Sequence, residues 1–396
     1  MRILMLIHRL TDNSPYCFYV HDQAMALRAL GHDVTVISPV GWLPFQKKLR
    51  PAAWKVAKGT PREATVDGVK VFYPRYPALG NLGERLIGGW AMAQCAWPVV
   101  KRLHAQRPFD VLHAHMLPME GHAGELLARR LHIPCVITVH GTDVIRNFPA
   151  PGMSGSVLER NARVAKAADA LMAVSSMLAH RVRPYREGWV DVVHNGVDLS
   201  LVRDDVPKKP HSILSVATLK KRKCVLETLE AFIAIKDDYP DATMTFVGVG
   251  ELEEALRARI REAGVEGRAK LTGGLTHAQV MRLMEESDVM CVPSYGEGYG
   301  IVYIEAMACG AVAIGARGEG IEDMIRDGEN GLLVPAGDVK AIEEALRRIF
   351  EDANGMRDLR ERAKKDARAL TWEANARRAA EVYARVIDKR KEGIKA

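Results

Sequence analysis

Residues 289–310 read VMCVPSYGEGYGIVYIEAMACG. An apolar run over 289–292 predicts a buried strand, and three glycines follow at 296, 298 and 300 before a helical pattern begins. Glycines at a strand exit let backbone amides approach a ligand closely. The helix that starts there aims its free amides and positive dipole end at an anion such as a phosphate. Glu297 sits in the turn, and Glu305 lies on the helix face of residues 298 and 301. At 1.5 Å rise per residue their separation is at most about 12 Å along the axis. A carboxylate repels phosphate but accepts hydrogen bonds from two hydroxyls, so each acid suits a diol flanking the anion. A sugar on one side of a diphosphate and a ribose on the other would fit. A glycine-rich turn with surface acids accounts for either glutamate singly, but poorly for the pair.

The same rhythm extends outward. Short apolar runs at 2–7, 32–38, 110–114, 135–139, 170–174 and 191–193 alternate with amphipathic helical patterns such as 20–30 and 121–130. Further runs at 212–216, 243–247, 269–271 and 312–314 alternate with helical patterns at 226–236, 252–263, 277–286 and 341–351. Strands that are apolar throughout and separated by helices predict α/β architecture, with parallel sheets covered on both faces. The expected division is an N-terminal domain over 1–200, a linker at 201–211 and a second domain over 212–370, with the helices of 371–396 returning to the first domain. Ligands of open α/β sheets bind beyond the strand C-terminal edges, so the site is expected in a cleft between the domains.

Composition agrees with that division. At roughly 150 residues per domain, 396 residues make two to three domains, and 48% hydrophobic with 27% charged residues excludes a disordered or fibrous chain. The net charge of +7 is concentrated: residues 41–110 hold twelve basic and four acidic side chains, +8, which leaves −1 for the rest. That stretch also holds Trp42, Trp54, Trp90 and Trp97, four of the six tryptophans. Tryptophan among basic residues suits a surface meeting anionic headgroups; a solvated basic face with core tryptophans is the plain alternative. The six cysteines form no C-x-x-C pair and read as buried free thiols of a reducing compartment. One basic residue before a five-residue apolar run predicts a strand rather than a signal peptide. The uncharged stretch 86–100, interrupted by Gln94 and Pro98, is too short to span a membrane. A cytoplasmic protein is expected, with a candidate peripheral contact on the inner face of the membrane.

The E-x7-E pair of Glu297 and Glu305, set in PS-x-x-EGYG-x-x-x-x-EAMACG, resembles the retaining glycosyltransferases of family 4, whose architecture is the two-Rossmann GT-B fold. The resemblance covers nearly the whole chain. His194-Asn-Gly-Val-Asp198, Phe246-Val-Gly-Val-Gly250, Asp327-Gly-Glu-Asn-Gly331 with Leu332-Leu-Val-Pro335, and Thr371-Trp372 follow in the family's order, and His140-Gly-Thr-Asp143 is similar to its active-site histidine turn. The resemblance implies that Glu297 holds the donor sugar's hydroxyls, helped by the backbone of Gly298, Tyr299, Gly300 and Ile301, and that Glu305 binds the ribose. It implies that Lys223 binds the diphosphate and that His140 contacts the transferred sugar near its reacting carbon. Asp143 reads equally as a helix cap. By the same resemblance, Gly248 and Gly250 of the second domain's glycine turn, with Thr218, complete the donor set.

The basic segment departs from the family pattern: Ala217, Thr218 and Cys224 replace its glycine, arginine and second glycine, so that Arg222 becomes the candidate guanidinium. Lys220 and Lys221 fit a solvated helix start as well as a ligand. The loop over 9–22 lacks the family's Gly-Gly turn and is similar to a subgroup with G-x-F-V-x-x-Q, Cys17 standing for the glycine. Gly318-Glu-Gly-Ile-Glu-Asp323 is similar to segments of polysaccharide-building members, including teichuronic acid glycosyltransferases.

The expected activity is therefore transfer of a hexosyl-type sugar from a nucleotide-diphosphate donor to a carbohydrate or lipid-linked acceptor in cell-surface polysaccharide or glycolipid synthesis. The expectation includes no cofactor and, for want of a DxD-like pair at a strand end, no metal. A nucleotide-sugar 2-epimerase of the same architecture and a non-catalytic nucleotide-sugar-binding protein stay open. A glycoside hydrolase would need two acids flanking one bond within about 10 Å. A dinucleotide dehydrogenase is disfavoured because 2–7 runs into His8-Arg9-Leu10 without GxGxxG. Nucleic-acid binding lacks a recognition-helix or zinc spacing.

Overall fold

The computed structural model describes residues 1–7, 18–43, 46–49, 51–78, 80–145, 155–186, 188–204 and 206–393. They form two compact units, Met1–His194 with Trp372–Ala396, and Asn195–Thr371. Most of the loop read at 9–22, including Cys17, lies outside the described residues.

The first unit contains β1 (Arg2–Leu6), β2 (Asp33–Ile37), β3 (Val40–Trp42), β4 (Glu63–Val66), β5 (Val69–Phe72), β6 (Arg75–Pro77), β7 (Val111–His115), β8 (Cys135–Val139), β9 (Ala170–Ala173) and β10 (Val190–Val192). Eight of these form one sheet in the order β10-β9-β8-β7-β1-β2-β5-β4, while β3 and β6 pair separately. The large sheet departs from the all-parallel expectation at one edge, where β4 runs antiparallel to β5. The cause is local. Asp67 and Gly68 take φ of 46° and 80°, and two positive φ values in succession make the tight turn that suits twisted antiparallel strands.

Strand order reverses at β1, which pairs β2 on one side and β7 on the other. The helix Trp372–Lys391 packs on this sheet: Ala376, Ala379, Val382, Tyr383 and Val386 join the core of Ile3, Met5, Val36 and Val136. Buried Asn375 ties it down, accepting from Gln23 Nε2 at 2.6 Å and donating to the His194 carbonyl at 2.7 Å.

The uncharged stretch 86–100 lies inside the helix Gly80–Gln106, which carries Pro98. Ala91, Met92, Ala93, Ala96 and Val100 are buried while Ile87 and Trp90 are exposed, a one-sided pattern. Among the described residues no helix is long and apolar enough to cross a membrane.

The second unit holds β11 (Lys209–Val216), β12 (Thr243–Val247), β13 (Ala269–Leu271), β14 (Ser287–Cys291), β15 (Val312–Ala316) and β16 (Leu332–Val334). They form one parallel sheet in the order β13-β12-β11-β14-β15-β16. Order reverses at β11, between β12 and β14. β11 begins at Lys209, inside the connection expected at 201–211, and the compact unit already begins at Asn195. The Pro and Lys residues that break hydrophobic periodicity there still accommodate an edge of extended chain: Lys209 pairs with Ser287 before the register shifts.

Candidate functional site

In the second unit the candidate residues come from the exits of β11 and β14, the adjacent strands at which the order reverses, where crossovers diverge and leave a crevice. Beyond β11 the chain runs on beside the exit of β12: the amides of Ala217 and Leu219 donate to the carbonyls of Val247 and Val249 at 3.0 and 3.1 Å. This backbone contact explains Gly248 and Gly250. A Cβ on Gly248 would lie 2.0 Å from the Ala217 oxygen, and one on Gly250 would lie 2.4 Å from the Leu219 oxygen. Their role in the structure is to let two loops touch. Gly248→Ala, at φ 133°, should therefore cost at least about 2 kcal/mol in a urea unfolding curve. An unchanged midpoint would contradict that role.

The basic segment turns through a short 3-10 helix, Lys221–Lys223, and ends at Cys224, whose φ of 50° is the left-handed conformation that a glycine would adopt freely. Lys220 and Lys221 are exposed. Lys223 points inward and forms an ion pair through Nζ with Glu297 Oε2. Arg222 Nη1 lies 3.9 Å from the same oxygen and donates to the Gly296 carbonyl at 3.3 Å. Ser294 Oγ donates to Glu297 Oε2 at 3.3 Å. Burial alone would raise the Glu297 carboxyl, but the Lys223 ammonium, Arg222 and the Ser294 hydroxyl outweigh it and hold the group below the usual carboxylate range.

Glu319, which sequence reasoning passed over inside the Gly318–Asp323 segment, orients the turn from below. Its carboxylate accepts from the amides of Gly296 and Glu297 at 2.9 and 2.7 Å. The helix Ile301–Ala308 then starts after Gly300, at φ 80°, with no side chain capping it. Of its first-turn amides, that of Tyr303 donates to the Gly300 carbonyl at 3.0 Å, and those of Ile301 and Val302 have no partner within the helix. Tyr299 is buried and donates to the Asn195 carbonyl at 3.2 Å, so its hydroxyl supports the turn. Thr218 is half-buried. Glu305 is buried, and its Oε1 pairs with Nε2 of the half-exposed His277 at 2.7 Å. Nothing in the primary sequence linked these two, because their contact spans two elements.

His140 follows β8 in the first unit. Asp143 proves to be a staple: its buried carboxylate accepts from the amides of His140 at 3.1 Å, Gly141 at 2.8 Å and Leu117 at 3.2 Å, tying together the exits of β7 and β8. His140 Nε2 lies 3.1 Å from Nδ1 of His115, and Tyr19 packs against its ring at 4.4 Å. His115 in turn contacts His113, with ring centroids 4.1 Å apart. The readable signal was His113-Ala-His115, since alternate residues of a strand share a face.

Burial lowers His113 and His140 to about 3 and pushes His115 well below the ordinary imidazole range. Unfolding returns these rings to their usual value near 6.5, so on acidification below it the unfolded chain binds more protons than the folded one. Stability should fall with pH through that window, by about 1.4 kcal/mol per pH unit for each ring at full effect. A urea midpoint that stays flat from about pH 7 to about pH 4 would contradict this.

Among the described residues, no group of three or more His, Cys, Asp or Glu side chains is placed to hold a metal ion. The family model described as Glycosyltransferase Family 4 matches residues 18–201, and that described as Glycosyl transferases group 1 matches residues 202–368. A glycogen synthase of Mycobacterium tuberculosis is 26% identical over 380 residues, covering 92% of this chain and 89% of its own. The sucrose-phosphate synthase of Thermosynechococcus elongatus superposes with a TM-score of 0.78 at 20% identity, over 98% of this chain and 100% of that one. The Anabaena protein HepE, in a complex with UDP and glucose, superposes with a TM-score of 0.70 at 18% identity, over 97% and 99% of the two chains.

Proposed function

As the chain belongs to glycosyltransferase family 4 and has the GT-B fold, we propose that it is a retaining, metal-independent glycosyltransferase. It moves a hexosyl-type sugar from a nucleotide-diphosphate donor to an acceptor hydroxyl in cell-surface polysaccharide or glycolipid synthesis. The observation that carries the reading is the Lys223–Glu297 pair at the foot of the uncapped helix Ile301–Ala308. Together they offer cations and the start of a helix for a diphosphate and a carboxylate for sugar hydroxyls.

The chemistry follows from the charges. The largest charge to develop during transfer is on the departing diphosphate. Lys223, Arg222 and the helix amides supply fixed positive potential there without reorganisation. On donor binding, the phosphates would share the ammonium that Glu297 now holds. Glu297, oriented by Ser294, would accept from the sugar's hydroxyls, and Glu305, oriented by His277, from those of the ribose. With no protein nucleophile assigned, the leaving phosphate oxygen takes the acceptor hydroxyl's proton and attack comes from the same face, which retains configuration. The family resemblance gives His140 a contact with the transferred sugar.

The test is a panel of nucleotide sugars with and without carbohydrate acceptors. The expected result is acceptor-dependent release of nucleoside diphosphate, unaffected by EDTA, with the donor's anomeric configuration kept in the product. Conversion of the nucleotide sugar without acceptor would mark an epimerase instead, and binding without release a sensor.

For the acceptor side, the reading is supported by a cavity of about 400 Å³ lined by Trp42, Trp54, Ala57, Lys58, Arg62 and Arg75. Lys47 and Lys58 flank Trp54, 5.4 and 5.0 Å from its ring centroid, and Trp42 is 48% exposed. Arg75 is spent on the carbonyls of Tyr73, Ala57 and Thr60, so Lys47, Lys58 and Arg62 are the cations for anionic lipid headgroups. Binding to phosphatidylglycerol vesicles should exceed binding to phosphatidylcholine vesicles, weaken with salt, and fall severalfold in Lys58→Glu. Equal binding to both lipids would contradict it.

A further inference from the structure

The imidazole pair at the exits of β7 and β8 defines more than a contact. Strands β7 and β8 run parallel with His115 opposite Thr138, and the amide of Met116 donates to the Thr138 carbonyl at 2.8 Å. Immediately beyond His115 the chain takes an unusual path. Met116 has φ 74°, and Leu117–Gly121 form a π-helix turn, a geometry that recurs at functional sites. Asp143 fixes both exits through the amides of Leu117, His140 and Gly141. The rings of His115 and His140 therefore sit in a rigid frame, stacked at 25° with centroids 5.4 Å apart.

Within this column the hydrogen bonding is complete for one histidine and incomplete for another. His113 engages both nitrogens, Nε2 with Thr138 Oγ1 and Nδ1 with the Tyr383 hydroxyl, each at 2.7 Å. His115 is 1% exposed. Its Nδ1 meets His140 Nε2 at 3.1 Å, while its Nε2 has no partner among the described residues. Only one proton can occupy the His115–His140 hydrogen bond. If His140 donated it, His115 would carry its own proton on Nε2, and a buried N–H would be left without an acceptor. If His115 donates from Nδ1, its Nε2 is a bare lone pair. Either arrangement leaves one N–H without a partner among the described residues, on His115 Nε2 or on His140 Nδ1. His115 Nε2 is sealed from solvent, whereas His140 is half-buried and its Nδ1 is not sealed, so the second arrangement puts the N–H where solvent or substrate can accept it. Burial keeps both rings neutral, which makes the choice of tautomer meaningful.

We propose that His115 is a positioning residue that locks His140 in the Nδ1–H tautomer, so that His140 presents a hydrogen-bond donor, not an acceptor, to the transferred sugar. The proposal rests on the reading of His140 as a substrate contact, and it goes beyond that reading by fixing which ring nitrogen acts and in which sense. His140 Nε2 is held by His115, and its Nδ1 makes no hydrogen bond among the described residues. That nitrogen faces no competition from the described residues. A donor there suits an electronegative sugar oxygen, whereas an acceptor there would need a hydroxyl proton.

Two variants separate positioning from bulk. His115→Asn offers an amide N–H near the place of Nδ1, whereas His115→Phe keeps a flat ring and removes the donor. With 15N-histidine labelling of the full chain, long-range 15N–1H correlation should show His140 protonated at Nδ1 and bare at Nε2 in the wild type. His115→Asn should keep that signature, and His115→Phe should lose it. In transfer assays His115→Phe should lower kcat by about tenfold with donor KM nearly unchanged, and His115→Asn should recover most of the loss. A wild-type His140 protonated at Nε2 would overturn the proposal, as would equal kcat in all three proteins. A wild type that transfers no sugar from any donor would instead overturn the glycosyltransferase reading, and the tautomer would still be read from the spectra.

Discussion

Glu297→Gln should retain the fold and lose transfer, with kcat/KM lower by about 10²–10³. The amide keeps the shape that fits beside Ser294 but not the charge paired with Lys223. It also keeps a single acceptor oxygen, so it cannot give one oxygen to Lys223 and Ser294 and the other to sugar hydroxyls. The loss should fall mainly on kcat, because a hydroxyl gripped near the reacting carbon matters most as the sugar gains positive character. Glu297→Ala should lose as much activity and in addition some stability, since it leaves a nearly buried ammonium unpaired, at a cost of about 3–5 kcal/mol if nothing relaxes. Comparing the two variants by thermal unfolding and by kinetics separates the chemical role from the structural one. Near-normal transfer in Glu297→Gln would remove the carboxylate from the mechanism.

Lys223→Met should be of similar severity and should carry a distinct pH signature. The methionine fills most of the lysine's volume but supplies no charge, so the developing diphosphate loses its strongest fixed cation, and kcat/KM should fall about 10²–10³-fold. Burial of Glu297 is then opposed only by Arg222 and the Ser294 hydroxyl. Its carboxyl, held below the usual range chiefly by the ammonium, should rise. The acid limb of kcat/KM should therefore move to higher pH in Lys223→Met. Arg222→Met, whose guanidinium lies 3.9 Å from the same carboxylate oxygen, should shift that limb less. An acid limb in the same place in wild type and Lys223→Met would show that the pair does not govern the site.

How much of this was legible before the structure differs from residue to residue, and the differences have physical reasons. Parallel strands buried on both faces read as continuous apolar runs, so β1, β8 and β14 could be placed from the chain alone. The hairpin of β4 and β5 could not, because Glu63, Thr65 and Lys70 dilute its apolar pattern at the sheet edge; its one sharp signal was Asp67-Gly68. Motif spacing pointed to Lys223 and Glu297 separately, and the reversal of strand order at β11 explains why they meet. Glu319 and His277 were not recoverable in that way. Each acts across an element boundary, Glu319 on amides that any sequence would present and Glu305 as the only sign of His277. Gly248 and Gly250 were legible only through the resemblance, as a glycine turn; the close approach to the backbone of Ala217 and Leu219 could not be read from the chain. Cys224 shows the converse: a left-handed position that glycine would suit is held by another residue, so a motif position can keep its conformation after losing its residue type.

The exits of β11 and β14, where Lys223 and Glu297 meet, are proposed to receive the diphosphate of a nucleotide sugar. Thermal unfolding of the wild type and of Lys223→Met in the presence of a panel of nucleoside diphosphates tests it without reference to acceptor or turnover. At a hundredfold excess over Kd a true ligand stabilises by about 2.7 kcal/mol, a readily measured rise in Tm. The expected result is a saturable rise with at least one nucleoside diphosphate that is abolished or greatly reduced in Lys223→Met. No rise with any of them, or an equal rise in both proteins, would contradict it.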